Sequence, residues 1–318
     1  MKKGMKLVTF SQNGILKIGV LFQENKIIDL VSACNLYKTE EKDLAFEIPG
    51  DMIELLNTGE AGIEATRKIF EFIKKQYKSE PEKLDDIVND IRQVKIKAPV
   101  LNPRKIICLG LNYSDHAEEG GLKPPEKPIL FSKPPTAIIG HEEPVIYPKI
   151  SDKVDYEVEL AVVMGKKGRE IPEEKAYDYV AGYSVFNDVS ARDIQFGDGQ
   201  WFRGKSFDTF APMGPCLTLK EQISNPQNLK MQMKVNGEIR QDSSTKNMFF
   251  KIPYLISFIS DVMTLEPGDI IATGTPSGVG IYAKPEPRLL KVGDVMEASL
   301  EKLGVLKNPI KDSNTENE

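Results

Sequence analysis

Apolar and polar residues alternate along Val154-Asp155-Tyr156-Glu157-Val158-Glu159-Leu160-Ala161-Val162-Val163, and a period of two is that of a β-strand. In this register Val154, Tyr156, Val158, Leu160 and Val162 share one face. Glu157 and Glu159 project from the other, roughly 7 Å apart along the strand. A second apolar run, Gly182 to Asn187, leads straight into Asp188. Similar short runs predict strands at Leu7 to Phe10, Ile15 to Phe22, Ile27 to Val31, Ile106 to Leu109, Lys230 to Val235 and Ile270 to Thr273. Asn13-Gly14 is a hairpin signal between the first two. A 3.6-residue period appears at Glu64 to Tyr77, where Ile69, Phe70, Phe72, Ile73 and Tyr77 form an apolar stripe, and a second helix is predicted near Pro253 to Met263.

These elements divide the chain. Residues 1–98 read as a small α/β amino-terminal domain that closes at the proline-bearing stretch Ala98 to Pro103. Residues 99–310 read as strands separated by Gly- and Pro-rich turns, an α+β, β-rich body without the regular βαβ alternation of a doubly wound sheet. Residues 311–318 are polar and predict a disordered tail.

Composition narrows the function classes. The 318 residues are 40% hydrophobic and 28% charged, ordinary for a globular protein with a buried core. A net charge of −5 carries no footprint for nucleic acid or an anionic membrane. No apolar run approaches the roughly 18 residues of a membrane span, and the first residues lack a signal-peptide core, so the sequence reads as cytoplasmic. Three dispersed cysteines and two histidines argue against a disulfide framework, a thiolate zinc site or a histidine-rich site. Any metal must be held mainly by oxygen.

Candidate chemistry starts with the carboxylates. Glu157, Glu159 and Asp188 crowd together unless a proton, a Lys or Arg, or a hard cation lies among them; oxygen-only ligation favours Mg²⁺ or Mn²⁺. The bland alternative is a pair of exposed glutamates matched to lysines, which Asp155 beside them weakens. In Asn112 to Gly121, Ser114 or Asp115 is placed to cap a short helix that Gly120-Gly121 ends. There His116 and Glu119 lie three apart on one side, either a surface pair or a carboxylate-oriented general base. Gly199 to Ser206 matches GxxxxGK[ST] letter for letter, yet Pro212, Gly214 and Pro215 forbid the helix a phosphate loop must open. Lys205 within it is a point charge that suits an anionic substrate near the acidic cluster. Ala272 to Gly280 is either a tight turn or a cradle of N–H groups and hydroxyls for a carboxylate.

In this order the features resemble the fumarylacetoacetate hydrolase family. The resemblance is carried by NYxDHxxE at Asn112 to Glu119, DYExELAVVxGK at Asp155 to Lys166, NDxxARDxQ at Asn187 to Gln195, GKSFDTFxPMGP at Gly204 to Pro215, VNGExRQ at Val235 to Gln241, and GDIIATGTPSGVG ending at Gly280. Residues 1–98 look like the amino-terminal extension of one branch. The resemblance implies a β-sandwich or roll with short helices and a homodimer. It implies Mg²⁺ or Mn²⁺ on Glu157, Glu159 and Asp188, and a His116–Glu119 dyad on a lid. It places Gln195, Lys205 and Thr275 at the 2-oxo acid end of a substrate. Leu111 stands where several members carry Arg or Lys, which disfavours a long acidic tail. The implied activity is C–C cleavage of a 2,4-dioxo acid or decarboxylation of oxaloacetate through a metal-stabilised enolate. Keto–enol tautomerisation or isomerisation uses the same residues, and the dyad tilts the reading toward cleavage. A non-catalytic binding role and nucleotide hydrolysis are the readings from other classes.

Overall fold

The computed structural model describes residues 5–41, 46–121 and 123–313. Among them a twelve-stranded mixed sheet forms the backbone of the molecule. From one edge it runs through Val88–Asp90, Lys26–Asp29, Ile15–Phe22, Lys6–Gln12, Ala211–Leu219, Val180–Asn187, Val158–Met164, Ile270–Ala272 and Ile106–Gly110 to Ile129–Lys133 at the other. Two short strands, Lys95–Lys97 and Ile138–Ile139, pair off this path. A five-stranded sheet, Glu238–Ser244, Lys230–Val235, Val295–Leu300, Gly304–Asp312 and Val145–Tyr147, packs beside it. The α+β, β-rich class expected from the sequence is what the chain adopts.

The amino-terminal strands follow local rules. Asn13 and Gly14 both have positive φ, 52° and 80°, the pair a two-residue type I′ hairpin turn requires. The strand expected to reach Val31 stops at Asp29, because the Asp29 carboxylate accepts the N–H groups of Val31 and Ser32 at 3.1 Å and starts helix Leu30–Glu40. A capping carboxylate satisfies N–H groups that a helix start leaves orphaned. The apolar stripe near Glu64 to Tyr77 belongs to the longer helix Gly59–Ser79. Lys6 and Leu7 pair with Thr218 and Leu217, so the amino-terminal strands continue the large sheet.

The core lies on both sides of strand Val158–Met164, every residue of which is buried. Val158, Leu160, Val162 and Met164 face a cluster with Met231, Met233 and Ala298 of the five-stranded sheet and Leu255 of helix Ile252–Ser260. Ala161 and Val163 face Leu55, Ile69 and Ile73 of the amino-terminal helices. The face assigned from the period is correct. The single strand is not: Val154–Asp155 pairs separately with Ser190–Ala191, and the run breaks at Tyr156-Glu157. Side chains replace the ladder there. Asp155 Oδ1 accepts from Tyr156 N, Asn187 Oδ1 from Glu157 N at 3.0 Å, and Gln241 Oε1 from Val158 N at 2.9 Å. A period of two cannot report such a break, since it leaves the apolar positions in place.

At the carboxyl end, Lys311 and Asp312 complete strand Gly304–Asp312 against Ile146 and Tyr147. The remainder of the expected tail, 314–318, lies outside the described residues.

Removing Asn187 tests the break. Asn187→Ala leaves the buried Glu157 N–H without its acceptor, and the expected cost is about 1–3 kcal/mol of stability, read from the urea midpoint at unchanged m-value.

Candidate metal centre and active site

The site forms where three strands finish, at Gly110, Asn187 and Ala272, and where Val158–Met164 begins. Glu159 stands opposite Phe186 in the antiparallel register. The face that carries Val163, Ala161 and Phe186 deep in the core continues outward into Glu159, Glu157 and Asp188. Two-residue alternation thus delivers three carboxylates to one place. All three are buried, and one oxygen from each lies within 4.8 Å of the others.

Three cations surround them: Lys205, which the sequence reading set near the acidic cluster, and Lys133 and Arg192, which it missed. Lys205 Nζ donates to Glu157 Oε2 and Asp188 Oδ2, both at 2.9 Å. Lys133 Nζ lies 2.7 Å from Asp188 Oδ1 and donates to the carbonyls of Val189 and Lys205. Arg192 NH1 reaches Glu157 Oε1 at 2.7 Å, while its Nε pairs with Asp155 Oδ2 at 2.9 Å. Asp155, Glu157, Glu159 and Asp188 ionised against Lys133, Lys205 and Arg192 leave one negative charge in excess. A divalent cation reverses that sign and leaves the site receptive to an anion.

The excess falls on Glu159. Burial pushes its carboxyl well above the ordinary range, and the charges of Asp188 and Glu157 push it further. Burial also acts on Glu157, but Lys205 and Arg192 outweigh it and hold that carboxyl at about 2. Lys205 is pulled down by burial and lifted more by Asp188 and Glu157, so its ammonium persists. Glu159 Oε2 accepts from Gly274 N at 2.9 Å, whereas the buried Oε1 has no hydrogen-bond partner among the described residues. A buried orphan acceptor between two carboxylates is the donor set expected of a Mg²⁺- or Mn²⁺-type site.

The glycine-rich loop after Ala272 does cradle carboxylates, and they belong to the protein. Gly274 N binds Glu159, Gly278 N binds both oxygens of Glu119 at 3.0 Å, and Gly280 and Ile281 N bind Asp155. Gly278 has φ 98°, and an added Cβ would lie 2.1 Å from Arg240 O, so glycine is required there. Thr275 Oγ1 donates to Val158 O and accepts from Gln241 Nε2, each at 2.9 Å.

His116 and Glu119 lie on helix Ser114–Glu119. Its N-cap is Tyr113, and neither Ser114 nor Asp115 caps it. One oxygen of the Asp115 carboxylate accepts from His116 N at 2.9 Å, and the other from Ser243 Oγ at 2.8 Å and Asn247 Nδ2 at 3.4 Å, which ties the helix to the strand Glu238–Ser244. His116 is buried, its Nδ1 is 3.6 Å from Glu119 Oε2, and that nitrogen has no hydrogen-bond partner among the described residues. Just before, Leu111 adopts φ 53°. The buried Asn112 amide bonds Phe250 N and Thr273 O, both at 2.8 Å, and so anchors the turn into the helix.

A small cleft gathers His116, Glu157, Gln195, Lys205 and Thr275. Gln195 Oε1 accepts from Arg192 NH1 at 3.0 Å, which leaves its amide NH₂ for the cleft. The Gly199–Ser206 segment holds only the short helix Phe202–Lys205, so Gly204-Lys205 ends a helix where a phosphate loop would open one. No helix among the described residues is long and apolar enough to cross a membrane.

Comparison with known proteins adds a second line. Residues 105–311 match the family model "Fumarylacetoacetate (FAA) hydrolase C-terminal". The oxaloacetate tautomerase YisK of Bacillus subtilis is 42% identical over 311 residues, covering 96% of this chain and all of that one. Among solved structures, a fumarylacetoacetate hydrolase from psychrophilic Exiguobacterium antarcticum superposes with TM-score 0.77 at 35% identity, covering 97% of this chain and 99% of the other. A 2-hydroxyhepta-2,4-diene-1,7-dioate isomerase from Mycobacterium marinum gives TM-score 0.71 at 28% identity, covering 98% and 100%.

Glu159 generates a test by thermal melting. A raised carboxyl contributes stability that is full below its unfolded value and is lost as pH rises through the folded one. Without metal, Glu159→Gln is therefore expected to melt higher than the parent at pH 8, and the gap to close toward pH 5. Mn²⁺ at a hundredfold excess over its dissociation constant is expected to raise the parent by about 5 °C and the variant by far less. An equal rise in both excludes Glu159 as a ligand.

Proposed function

Because the chain belongs to the fumarylacetoacetate hydrolase family, we propose that it is a metal-dependent enzyme of small 2-oxo acids that moves a proton at the carbon next to the 2-oxo group, with oxaloacetate keto–enol tautomerisation as its reaction. The observation that carries this reading is the buried Glu157–Glu159–Asp188 cluster with Lys205 bonded across two of its members, which suits stabilisation of an enolate. The tautomerase and isomerase named among its relatives support it.

Glu157, Glu159 and Asp188 would hold Mg²⁺ or Mn²⁺, which when bound supplies Lewis-acid polarisation of a chelating 2-oxo acid. The remaining work falls to the chain. Gln195 offers its free amide N–H groups to the substrate carboxylate, and Thr275 forms the wall beside it. Lys205, kept as an ammonium, donates toward the 2-oxygen as negative charge grows there. His116 takes the C3 proton of the keto form at a ring nitrogen; the C3–H electron pair becomes the C2–C3 double bond, and the imidazolium returns that proton to the 2-oxygen to give the enol. Glu119, fixed by Gly278 N, orients the imidazole. The reverse sequence returns the ketone.

Hydrolysis of a 2,4-dioxo acid is the second reading, favoured by the same dyad. His116 with Glu119 3.6 Å from Nδ1 suits activation of a water as well as transfer of a carbon-bound proton. Decarboxylation of oxaloacetate yields the enolate of pyruvate, as cleavage of a 2,4-dioxo acid does, and needs no base.

The readings separate in one assay. With Mn²⁺ present, the full chain is expected to accelerate decay of enol-oxaloacetate without releasing CO₂ or cleaving acetylpyruvate. His116→Ala is expected to lose about 100-fold or more in kcat while its metal-induced rise in melting temperature persists. Undiminished turnover in that variant removes His116 from the proton path, and cleavage without enol decay shifts the assignment to hydrolase.

A further inference from the structure

We propose that the Trp201 indole is a partition between the substrate cleft and a second groove behind it, and that it restricts the site to 2-oxo acids with short ends. The inference rests on the 2-oxo acid reading above and adds the residue that sets tail length.

Trp201 O accepts from Lys205 N at 3.1 Å, a four-residue spacing that puts the indole and the ammonium on one side of the same helical turn. Phe131 lies between them. Lys205 Nζ is 5.2 Å from the Phe131 ring centroid, and the Phe131 and Trp201 rings meet edge to face with centroids 5.5 Å apart. On its other side the indole lies against Gly110, where an added Cβ would fall 2.2 and 2.6 Å from two of its ring carbons. Only glycine leaves that seat open.

The spaces on the two sides of the indole differ in chemistry. The cleft holds His116, Glu157, Arg192 and Lys205, the groups that recognise a charged head. The outer groove runs along the edge strand Ile129–Lys133 and is lined by Ile129, Leu130, Ser132, Gly199, Gln200 and Phe202, with no charged side chain. Phe131 and Trp201 border both. Without the indole, the charged head site opens into an uncharged trough with room for a longer tail. With it, a substrate must end near Trp201, as a four-carbon acid does.

Calorimetry on the full chain with saturating Mn²⁺, using 2-oxobutyrate, 2-oxohexanoate and 2-oxooctanoate, tests the partition. The parent is expected to bind 2-oxooctanoate at least tenfold more weakly than 2-oxobutyrate. Trp201→Ala is expected to raise the long-to-short affinity ratio at least tenfold, and Trp201→Phe less. Gly110→Ala, which unseats the indole and leaves it present, is expected to shift the ratio in the same direction and serves if Trp201→Ala does not fold. Trp201 is the single tryptophan of the chain, so its emission is expected to change when 2-oxobutyrate binds the parent. A length profile unaltered in the folded variants, or binding without any change in emission, overturns the partition alone. Failure of the parent to bind any member overturns the 2-oxo acid reading and the length filter with it.

Discussion

Burying three carboxylates at the dry end of a sheet is the constraint around which the rest of the structure is arranged. Taking an ion out of water costs several kcal/mol even after relaxation, and removing one partner of a buried pair costs about 3–5 kcal/mol. The chain meets this with Lys205, Lys133 and Arg192, brought from three separate segments. These cations come one short once Asp155 is included, and the shortfall rests on Glu159 with its orphan oxygen. The same incompleteness makes the site useful: a fully neutralised cluster would have little reason to take up a divalent cation, and without that cation it would offer an anion no net attraction.

Arg192 shows how closely structural and chemical roles are interleaved. One guanidinium joins Asp155, Glu157 and the Gln195 carbonyl, so one side chain sets the ionisation of a carboxylate of the acidic cluster and the direction in which an amide faces the cleft. Arginine's planar fork suits this; a lysine would supply charge without the geometry. Asp155 in turn receives the backbone of Gly280 and Ile281, and the ion pair becomes part of the loop that closes the site.

Much of this was legible in the chain. The two-residue period placed Glu157 and Glu159 on one face and pointed to Asp188, and the linked motifs placed His116, Lys205 and Thr275 with them; all line or border the same cleft. What stayed hidden depends on contacts between distant segments. Lys133 sits at the end of an edge strand, and nothing beside it in sequence reports Asp188. Arg192 stood inside a quoted motif, but its partners are fixed only when Val154–Asp155 pairs with Ser190–Ala191. The break at Tyr156-Glu157 was invisible because Asn187 and Gln241 side chains supply what the ladder would have. For the glycine loop the sequence left a tight turn and a carboxylate cradle both open, and it could not say whose carboxylates a cradle would hold. Asp115 had the composition of a cap; one oxygen takes the His116 N–H within the helix and the other is spent on Ser243 and Asn247.

That loop also bears on how the protein can change over generations. Its amides hold a carboxylate of the acidic cluster, the helix that carries His116, and the Asp155–Arg192 pair within a span of eight residues, Gly274 to Ile281. A backbone shift that suits one of these displaces the other two, so single substitutions there have little room to be neutral. The wall at Trp201 and the outer residues of the edge strand, Ile129, Leu130 and Ser132, bear no such shared burden, in contrast to Lys133 at the strand's end. New substrate preferences are therefore expected to arise along that wall, with the loop inherited whole.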